Sequence, residues 1–206
     1  YNILAEFQAA LNGDAYEDAC QVITSSQPSG ALGLLPEAHD PQLFVSLPAA
    51  VALAMQDRPE LRRTMQEKYG GIGQLRLRQA MRDGDATTVR GVSIQFHGTH
   101  AAAEAHLWLG DRALSAGDFP SALGHYRTAL QTAPASLEHP LAARLRLAAA
   151  MVGRDSGEPP TQPVQFGGQR LTASEFEQLV QDLQRQRRPP AGAAAAEGTA
   201  PVQLPP

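Results

Sequence analysis

The sequence predicts an all-α protein, and three observations lead to this prediction. Among the 206 residues, 43% are hydrophobic but only 5% are aromatic, a balance that suits closely packed helices better than a β-sandwich or barrel. Apolar residues recur at steps of three and four along most of the chain, which is the period of an α-helix. Gly-Asp pairs stand at positions 13/14, 84/85 and 117/118, where a glycine can end one helix and an aspartate can cap the next.

Two helices and a loop are predicted at the start of the chain. The first helix ends at Asn12-Gly13, and Asp14 opens the second. Cys20 is the only cysteine, so no intrachain disulfide can form, and its apolar neighbours predict a small buried side chain. The segment from Ser25 to Asp40 is rich in Pro and Gly and is predicted to be a connecting loop. The apolar stripes are Ile3, Leu4, Phe7, Ala10 and Leu11, then Tyr16, Ala19, Cys20 and Ile23.

The next region predicts a series of short helices. One runs from Pro48 to Met55, and Pro59 suits the first position of another, which is expected to stop at Gly70-Gly71. A third helix stops at Gly84. Its apolar residues are Leu75, Leu77, Ala80 and Met81.

A capped segment precedes the middle of the chain. Asp85 can cap residues Ala86 to Gly91. Val92 to Phe96 is interpreted either as a short extended bridge or as the end of that helix. Gly98 and Thr99 are then expected to interrupt the helix before the next one begins.

Residues 101–134 contain the clearest helical hairpin. Gly117 supplies the left-handed residue that ends its first helix, and Asp118 is expected to cap the second. The stripe spacing predicts a tight antiparallel pair. The stripes are Ala102, Ala105, Leu109, Ala113 and Ala116, then Ala122, Leu123, Tyr126, Ala129 and Leu130.

The spacing within this hairpin resembles that of a tetratricopeptide (TPR) repeat. His106 stands where the family has Trp, and Ala113 where it has Tyr. The resemblance implies a TPR-like α-solenoid of stacked hairpins over residues 1–157. The Gly-Asp pairs, 71 and then 33 residues apart, fit two units and one unit of a repeat of about 34 residues. The positions in register are Leu109-Gly110, Gly117, Ala122, Tyr126, Ala129 and Pro134.

A further helix is expected to cap this array, because the last repeat of a solenoid needs its open side covered. Arg144 and Arg146 lie off its apolar stripe. The stripe consists of Leu137, Leu141, Leu145, Ala148 and Val152.

Residues 158–187 predict a small β-hairpin plus helix unit that docks on the array. Strands Val164 to Phe166 and Gln169 to Leu171 flank a Gly167-Gly168 turn. Thr172 and Glu175 have the spacing of a capping box, which starts a helix.

Residues 188–206 are rich in Pro and Ala and predict a disordered tail or linker, so we expect the natural polypeptide to continue. Residues 1–187 are similar to the helical region that precedes a PQQ-like β-propeller in bacterial exported proteins. The phrases FVSLPAAVALAM and AEAHLWLGDRALSAGDF carry this resemblance, which implies a periplasmic or exported location in preference to a cytoplasmic one. Because the sequence begins with Tyr1, we expect a processed chain or a piece of a longer one.

Charge and hydropathy argue against two classes of partner. The net charge is −4 and the basic residues are scattered, so nucleic acid is not an expected partner. The longest apolar candidate, Leu47 to Met55, is much shorter than the roughly 20 residues of a transmembrane helix, so no membrane span is expected.

Motifs for chemistry are weak. His97, His100 and His106 straddle a Gly-Thr break and lack the converging ligands that zinc requires, so cap-region or solvent-exposed histidines are expected. Residues 70–73, Gly-Gly-Ile-Gly, lack the Gly-Lys-Ser/Thr ending of a phosphate-binding loop and are expected to form a helix-breaking turn. The sequence therefore predicts no cofactor, no metal and no enzymatic activity.

The remaining candidate is a helix surface. Glu104, Trp108, Asp111 and Ser115 lie opposite the apolar stripe of their helix, on the side that lines the concave groove of TPR-like arrays. An exposed Trp beside two carboxylates would anchor an apolar or basic segment of a protein partner. In the alternative interpretation Trp108 packs against the neighbouring hairpin and the acids are ordinary solvated charges. We expect a non-catalytic protein–protein interaction or scaffolding module; the alternative is a structural spacer or assembly subunit of a larger complex.

Overall fold

The computed structural model describes residues 3–26, 34–36, 40, 42–154, 157–166 and 168–187. This part of the chain is mostly helical, in agreement with the predicted all-α class, and none of its helices combines the length and apolarity that a membrane crossing requires. The predicted tail, residues 188–206, lies outside the described residues. The helices are α1 (Ile3–Asn12), α2 (Tyr16–Ser25), α3 (Leu47–Asp57), α4 (Pro59–Asp83), α5 (Ala86–Gln95), α6 (His100–Ser115), α7 (Phe119–Leu130), α8 (Ala135–Met151) and α9 (Ala173–Arg187), and the strands are β1 (Leu35–Pro36), β2 (Phe44–Val45), β3 (Val164–Phe166) and β4 (Gln169–Leu171).

Helices that are close in the chain pack against each other. α1 contacts α2, α2 contacts α4, and from α4 onward each helix contacts the next, while α4 also contacts α6. The buried side chains accordingly form four clusters that follow one another along the chain. Large members of these clusters are Phe7 and Met65, then Leu77 and Phe96, then Tyr126 and Leu141, and finally Val164 and Phe176.

Helix α4 continues through Gly70-Gly71, so the predicted helix stop at these residues is wrong. A glycine inside a helix costs about 1 kcal/mol relative to alanine, but packing offsets this cost. A Cβ atom on Gly73 would lie 2.9 Å from Phe96 Cγ and 3.3 Å from Ala101 Cβ. The bare backbone therefore lets α5 and α6 approach α4. The helix ends instead at Gly84, which has a left-handed φ of 68°.

The next helix resolves an alternative that the sequence left open. α5 extends to Gln95, so most of the segment from Val92 to Phe96 is the end of that helix and not an extended bridge. Asp85 caps it as predicted, because its Oδ1 accepts hydrogen bonds from the N–H groups of Thr87 and Thr88 at 3.0 and 3.1 Å.

Two further predictions fail near the N-terminus. Asp14 does not cap α2; the residue before that helix is Ala15, and Asp14 itself adopts a left-handed φ of 52°, which aspartate tolerates better than most residues. The segment Ser25 to Asp40 contains strand β1, which pairs antiparallel with β2 and so is not loop throughout. Residues 27–33 and 37–39 of this segment lie outside the described residues.

The C-terminal helix α9 is held on α8 by an ion pair whose arginine is buried. Arg146 lies off the apolar stripe of its helix, as predicted, and yet is only 7% exposed. Its Nε and Nη2 donate to the two carboxylate oxygens of Glu177 at 2.9 and 2.7 Å, and Nη1 donates to the Gly157 carbonyl. This second side of α8 is covered because the segment after the helix folds back over it, where Val164 and Phe176 pack.

Strands β3 and β4 pair antiparallel, with Phe166 opposite Gln169. α9 then begins in a reciprocal cap: the Thr172 N–H donates to Glu175 Oε2 at 2.8 Å, and the Glu175 N–H donates to Thr172 Oγ1 at 3.2 Å. The strand positions and the capping box coincide with those predicted from the sequence.

Candidate interaction surface

Helices α6 and α7 form a hairpin whose helix starts are capped by side chains. Thr99 Oγ1 accepts a hydrogen bond from the Ala102 N–H at 3.2 Å, and Asp118 Oδ1 accepts one from the Ser121 N–H at 3.2 Å. Gly117 has a left-handed φ of 78°. These caps satisfy backbone donors that a helix start leaves unpaired. The predicted corner at Gly117-Asp118 is confirmed.

Tyr126 on α7 packs directly against the backbone of α6 at Gly110. A Cβ atom on Gly110 would lie 2.5 Å from Tyr126 Cε1, so only glycine fits here without movement of the ring. Tyr126 is fully buried. Small neighbours, Ala105, Ala122 and Ala129, are also fully buried and allow the two helices to approach closely.

Asp111 joins three helices. Its Oδ1 accepts a 2.7 Å hydrogen bond from the Tyr126 hydroxyl on α7 and a 2.7 Å charged hydrogen bond from Arg144 Nε on α8. Burial raises the pKa of Tyr126, and the hydrogen bond to Asp111 raises it further, so the hydroxyl stays protonated as a donor. Arg144 balances the charge of Asp111, and both polar contacts serve the packing of the helices.

The other three site residues predicted on α6 also contact their own chain. Glu104 Oε2 accepts a 2.8 Å hydrogen bond from Gln74 Nε2 on α4. Trp108 is half-buried against the cluster around Leu77, and the guanidinium carbon of Arg112 lies 4.9 Å from the centroid of its ring. Ser115 Oγ donates to the Asp111 carbonyl at 2.8 Å, within the same helix.

An open groove lies between α4 and α6, and we call it the α4–α6 groove. It has a volume of about 560 Å³. Leu75 and Met81, 62% and 38% exposed, supply large apolar side chains to its wall. Glu104 connects the groove to the site predicted from the sequence. The lining residues are Gln74, Leu75, Arg78, Met81, Arg82 and Glu104.

The apolar residues predicted for this helix, Leu75, Leu77, Ala80 and Met81, were not divided into a buried and an exposed set, so the α4 side of this groove was not predicted. In the structure Leu77 and Ala80 are buried, whereas Leu75 and Met81 are exposed. Residues two positions apart do not share a helix face. The spacing of Leu75 and Leu77 could therefore have marked one of them as a surface residue.

The structure brings His106 to His125 on α7, and their Nδ1 atoms lie 3.0 Å apart. Burial lowers the pKa of His106 to about 3, with smaller contributions from His125 and His97. Burial is also the main cause of the lowered pKa values of His97 and His125. Neutral imidazoles can share one hydrogen bond because each has a donor and an acceptor nitrogen. Within the described ranges, no three His, Cys, Asp or Glu side chains converge as metal ligands.

Cys20 is fully buried, as predicted. Burial raises its pKa to about 12, with Glu17 adding to the increase. At neutral pH it is therefore a protonated thiol that packs as a small apolar side chain. It is a weak nucleophile in this state, because only the thiolate is strongly nucleophilic.

These features define a mostly helical protein with an open groove between two packed helices. Comparison of the chain with models of protein families, with curated proteins and with solved structures finds no match.

Proposed function

We propose that the chain is a TPR-like α-solenoid that binds a segment of a protein partner in the α4–α6 groove, and that it acts as a non-catalytic interaction or scaffolding module. The observation that carries this proposal is the exposure of Leu75 and Met81 in a groove between two packed helices. Uncovered apolar side chains in a helical groove are typical of surfaces that bind peptide segments.

Hydrogen bonds between alternate helices support the repeat. The His100 N–H on α6 donates to Gln66 Oε1 on α4 at 2.8 Å, 34 residues away. Arg144 on α8 and Asp111 on α6 are 33 residues apart. In a repeat of about 34 residues, positions one repeat apart lie side by side on equivalent helices. α4, α6 and α8 would then be the first helices of successive units.

The helix ends support the same register. Gly84, Gly117 and Gly153 follow α4, α6 and α8, and their φ values are 68°, 78° and 71°. Each glycine turns the chain after a first helix. The α4–α6 groove thus lies between equivalent helices of neighbouring units, where solenoids form their extended binding surfaces.

Two substitutions on α4 test the binding surface. Random displayed peptides are selected on the full chain, and the affinity of the selected peptides is measured for Leu75→Ser and Ile72→Ser. Ile72 is the matched control, because it is 49% exposed on the same helix but does not line the groove. We expect Leu75→Ser to weaken binding about tenfold, since burying a leucine contributes about 1.5 kcal/mol. Ile72→Ser should change it less than about twofold.

Equal losses of affinity in the two variants, or an affinity that Leu75→Ser does not change, would contradict this binding surface. Asp111 is not a suitable test position, because its substitution would also break the contacts to Tyr126 and Arg144.

A second candidate function, that of a structural spacer or assembly subunit, is favoured by a separate apolar groove in the N-terminal part of the chain. Leu53, 59% exposed, lines it together with Phe7, Leu11 and Val45. If another subunit covers this groove, the purified chain should self-associate or retain a stoichiometric partner at micromolar concentration. Sedimentation equilibrium that shows a monomer alone contradicts this second function.

A further inference from the structure

The α4–α6 groove carries an excess of positive charge. Arg78 and Arg82 line it with a single carboxylate, that of Glu104, which already accepts the Gln74 amide. Arg82 donates to the neutral amide oxygen of Gln79 at 2.6 Å, and within the described residues Arg78 forms no ion pair. Two guanidinium groups without a carboxylate partner therefore border the exposed apolar side chains.

The sequence predicts two carboxylates beside Trp108, those of Glu104 and Asp111. In the structure Asp111 is paired with Arg144, and its Oδ1 also accepts the Tyr126 hydroxyl. One turn beyond Trp108, Arg112 adds another cation beside the indole ring. A basic partner segment would therefore meet mostly like charge along this surface, whereas an acidic one would meet opposite charge.

The order of residues along α4 sets the pattern that a partner must match. Arg78 and Arg82 are four residues apart, so their Cβ atoms lie about 5–6 Å from each other on one side of the helix. Leu75 stands one turn before Arg78. A segment whose apolar side chains cover Leu75 and Met81 brings carboxylates one or two turns away within reach of the two guanidinium groups. Arginine binds carboxylates through paired hydrogen bonds.

We infer that the α4–α6 groove binds an acidic amphipathic segment of a protein partner, with apolar side chains on Leu75 and Met81 and carboxylates on Arg78 and Arg82. This inference rests on the proposed function and adds the chemistry of the partner. The exposed apolar area supplies affinity, and the two cations supply selectivity for charge.

Three synthetic helical peptides of about four turns test this chemistry. The first carries leucines on one face and glutamates beside them, the second has lysine in place of each glutamate, and the third keeps the glutamates but has serine in place of each leucine. Fluorescence anisotropy with the full chain measures their affinities. We expect the acidic amphipathic peptide to bind at least about tenfold more tightly than either of the others at low salt, and this advantage over the lysine peptide to shrink at about 1 M salt.

Charge reversal on the protein provides the matched control. Arg78→Glu and Arg82→Glu should each weaken binding of the acidic peptide about tenfold and favour the lysine peptide. Arg127→Glu makes the same change in net charge at an exposed position on α7, outside the groove, and should have less than about a twofold effect.

The outcomes separate this inference from the proposed function. If the acidic and lysine peptides bind equally and both depend on Leu75, the charge assignment is overturned and the peptide-binding surface stands. If the lysine peptide binds more tightly, the basic partner expected from the sequence is restored. If none of the three binds, or binding ignores both Leu75→Ser and Arg78→Glu, the inference fails; the proposed function then depends on the displayed-peptide selection.

Discussion

The ring of Tyr126 occupies the space in which a side chain on Gly110 would stand, 2.5 Å from the ideal Cβ position to Tyr126 Cε1. This contact sets the separation of α6 and α7 and places the Tyr126 hydroxyl on Asp111. The Asp111 carboxylate also binds Arg144 and so links the hairpin to α8. The contact between Gly110 and Tyr126 therefore positions a hydrogen-bond network that joins α6, α7 and α8.

Gly110→Ala should lower the free energy of unfolding by about 1–3 kcal/mol, because the methyl group displaces the tyrosine ring from a packed core. The loss is expected although alanine favours helix by about 1 kcal/mol over glycine. Gly124→Ala is the matched control, since Gly124 is exposed on α7 with open space around its Cβ position. It should raise the free energy of unfolding by about 0.5–1 kcal/mol in urea titrations. Stabilisation by both variants would show that the Gly110 contact is loose.

Tyr126→Phe should lower the free energy of unfolding by about 1 kcal/mol, because it removes the hydroxyl donor to Asp111. A double-mutant cycle with Asp111→Ala, which removes the acceptor, measures the interaction between the two side chains. We expect a coupling energy of about 0.5–1.5 kcal/mol. Strictly additive effects of the two substitutions would argue against this hydrogen bond in solution.

Stability should fall as the pH falls below about 6.5, the ordinary pKa of histidine. The pKa values of His97, His106 and His125 are lowered in the folded chain, mainly by burial. As the pH falls, the unfolded chain therefore binds protons before the folded chain does. The stabilisation that comes from neutral rings in the folded chain is fully present above pH 6.5, and it is lost as the pH falls toward the folded pKa, which is about 3 for His106. His106 adds up to about 1.4 kcal/mol per pH unit to the slope.

The pH slope can be assigned with two variants measured in urea between pH 7.5 and 5.5. His106→Asn should reduce the slope of unfolding free energy against pH, because it removes the most strongly shifted of these imidazoles. His100→Gln, at an exposed position, should leave it nearly unchanged. An equal slope in the wild type and His106→Asn would contradict the role assigned to burial.

Glu177→Gln should lower the free energy of unfolding by about 3 kcal/mol, because it leaves the buried Arg146 guanidinium without a charged partner. Hydrogen exchange should become faster in α9, which this pair holds on α8. Arg185→Gln breaks an exposed ion pair with Asp182 and should change stability by less than about 0.5 kcal/mol. Equal effects of the two substitutions would mean that α9 is held by its apolar contacts alone.

Local chemistry explains which features were predictable. The corner at Gly117-Asp118 and the capping box at Thr172 depend on residues within three or four positions, so the sequence contains what is needed. Gly70-Gly71 carries a strong local signal for a helix end, but packing of Phe96 and Ala101 at nearby Gly73 favours the continuous α4. Those residues are distant in the sequence, so no local pattern reveals them.

Helical periodicity places Glu104, Trp108 and Asp111 on one face of α6, and of these three Glu104 lines the α4–α6 groove. The pairing of Asp111 with Arg144 depends on another helix, so the local sequence does not reveal it. The cations Arg78 and Arg82 belong to the site only because α4 packs beside α6. Sequence periodicity identifies a helix face but not the helix that lies next to it.

Amide chemical-shift mapping of the full chain with the acidic amphipathic peptide tests the binding surface most directly. The largest shifts should fall on residues 74–82 of α4 and on the turn of α6 that contains Glu104. About tenfold more peptide should be needed to reach them in Leu75→Ser but not in Ile72→Ser. Largest shifts at the groove of Phe7 and Leu53, or along α8 and α9, would place binding elsewhere and contradict the α4–α6 groove as the interaction surface.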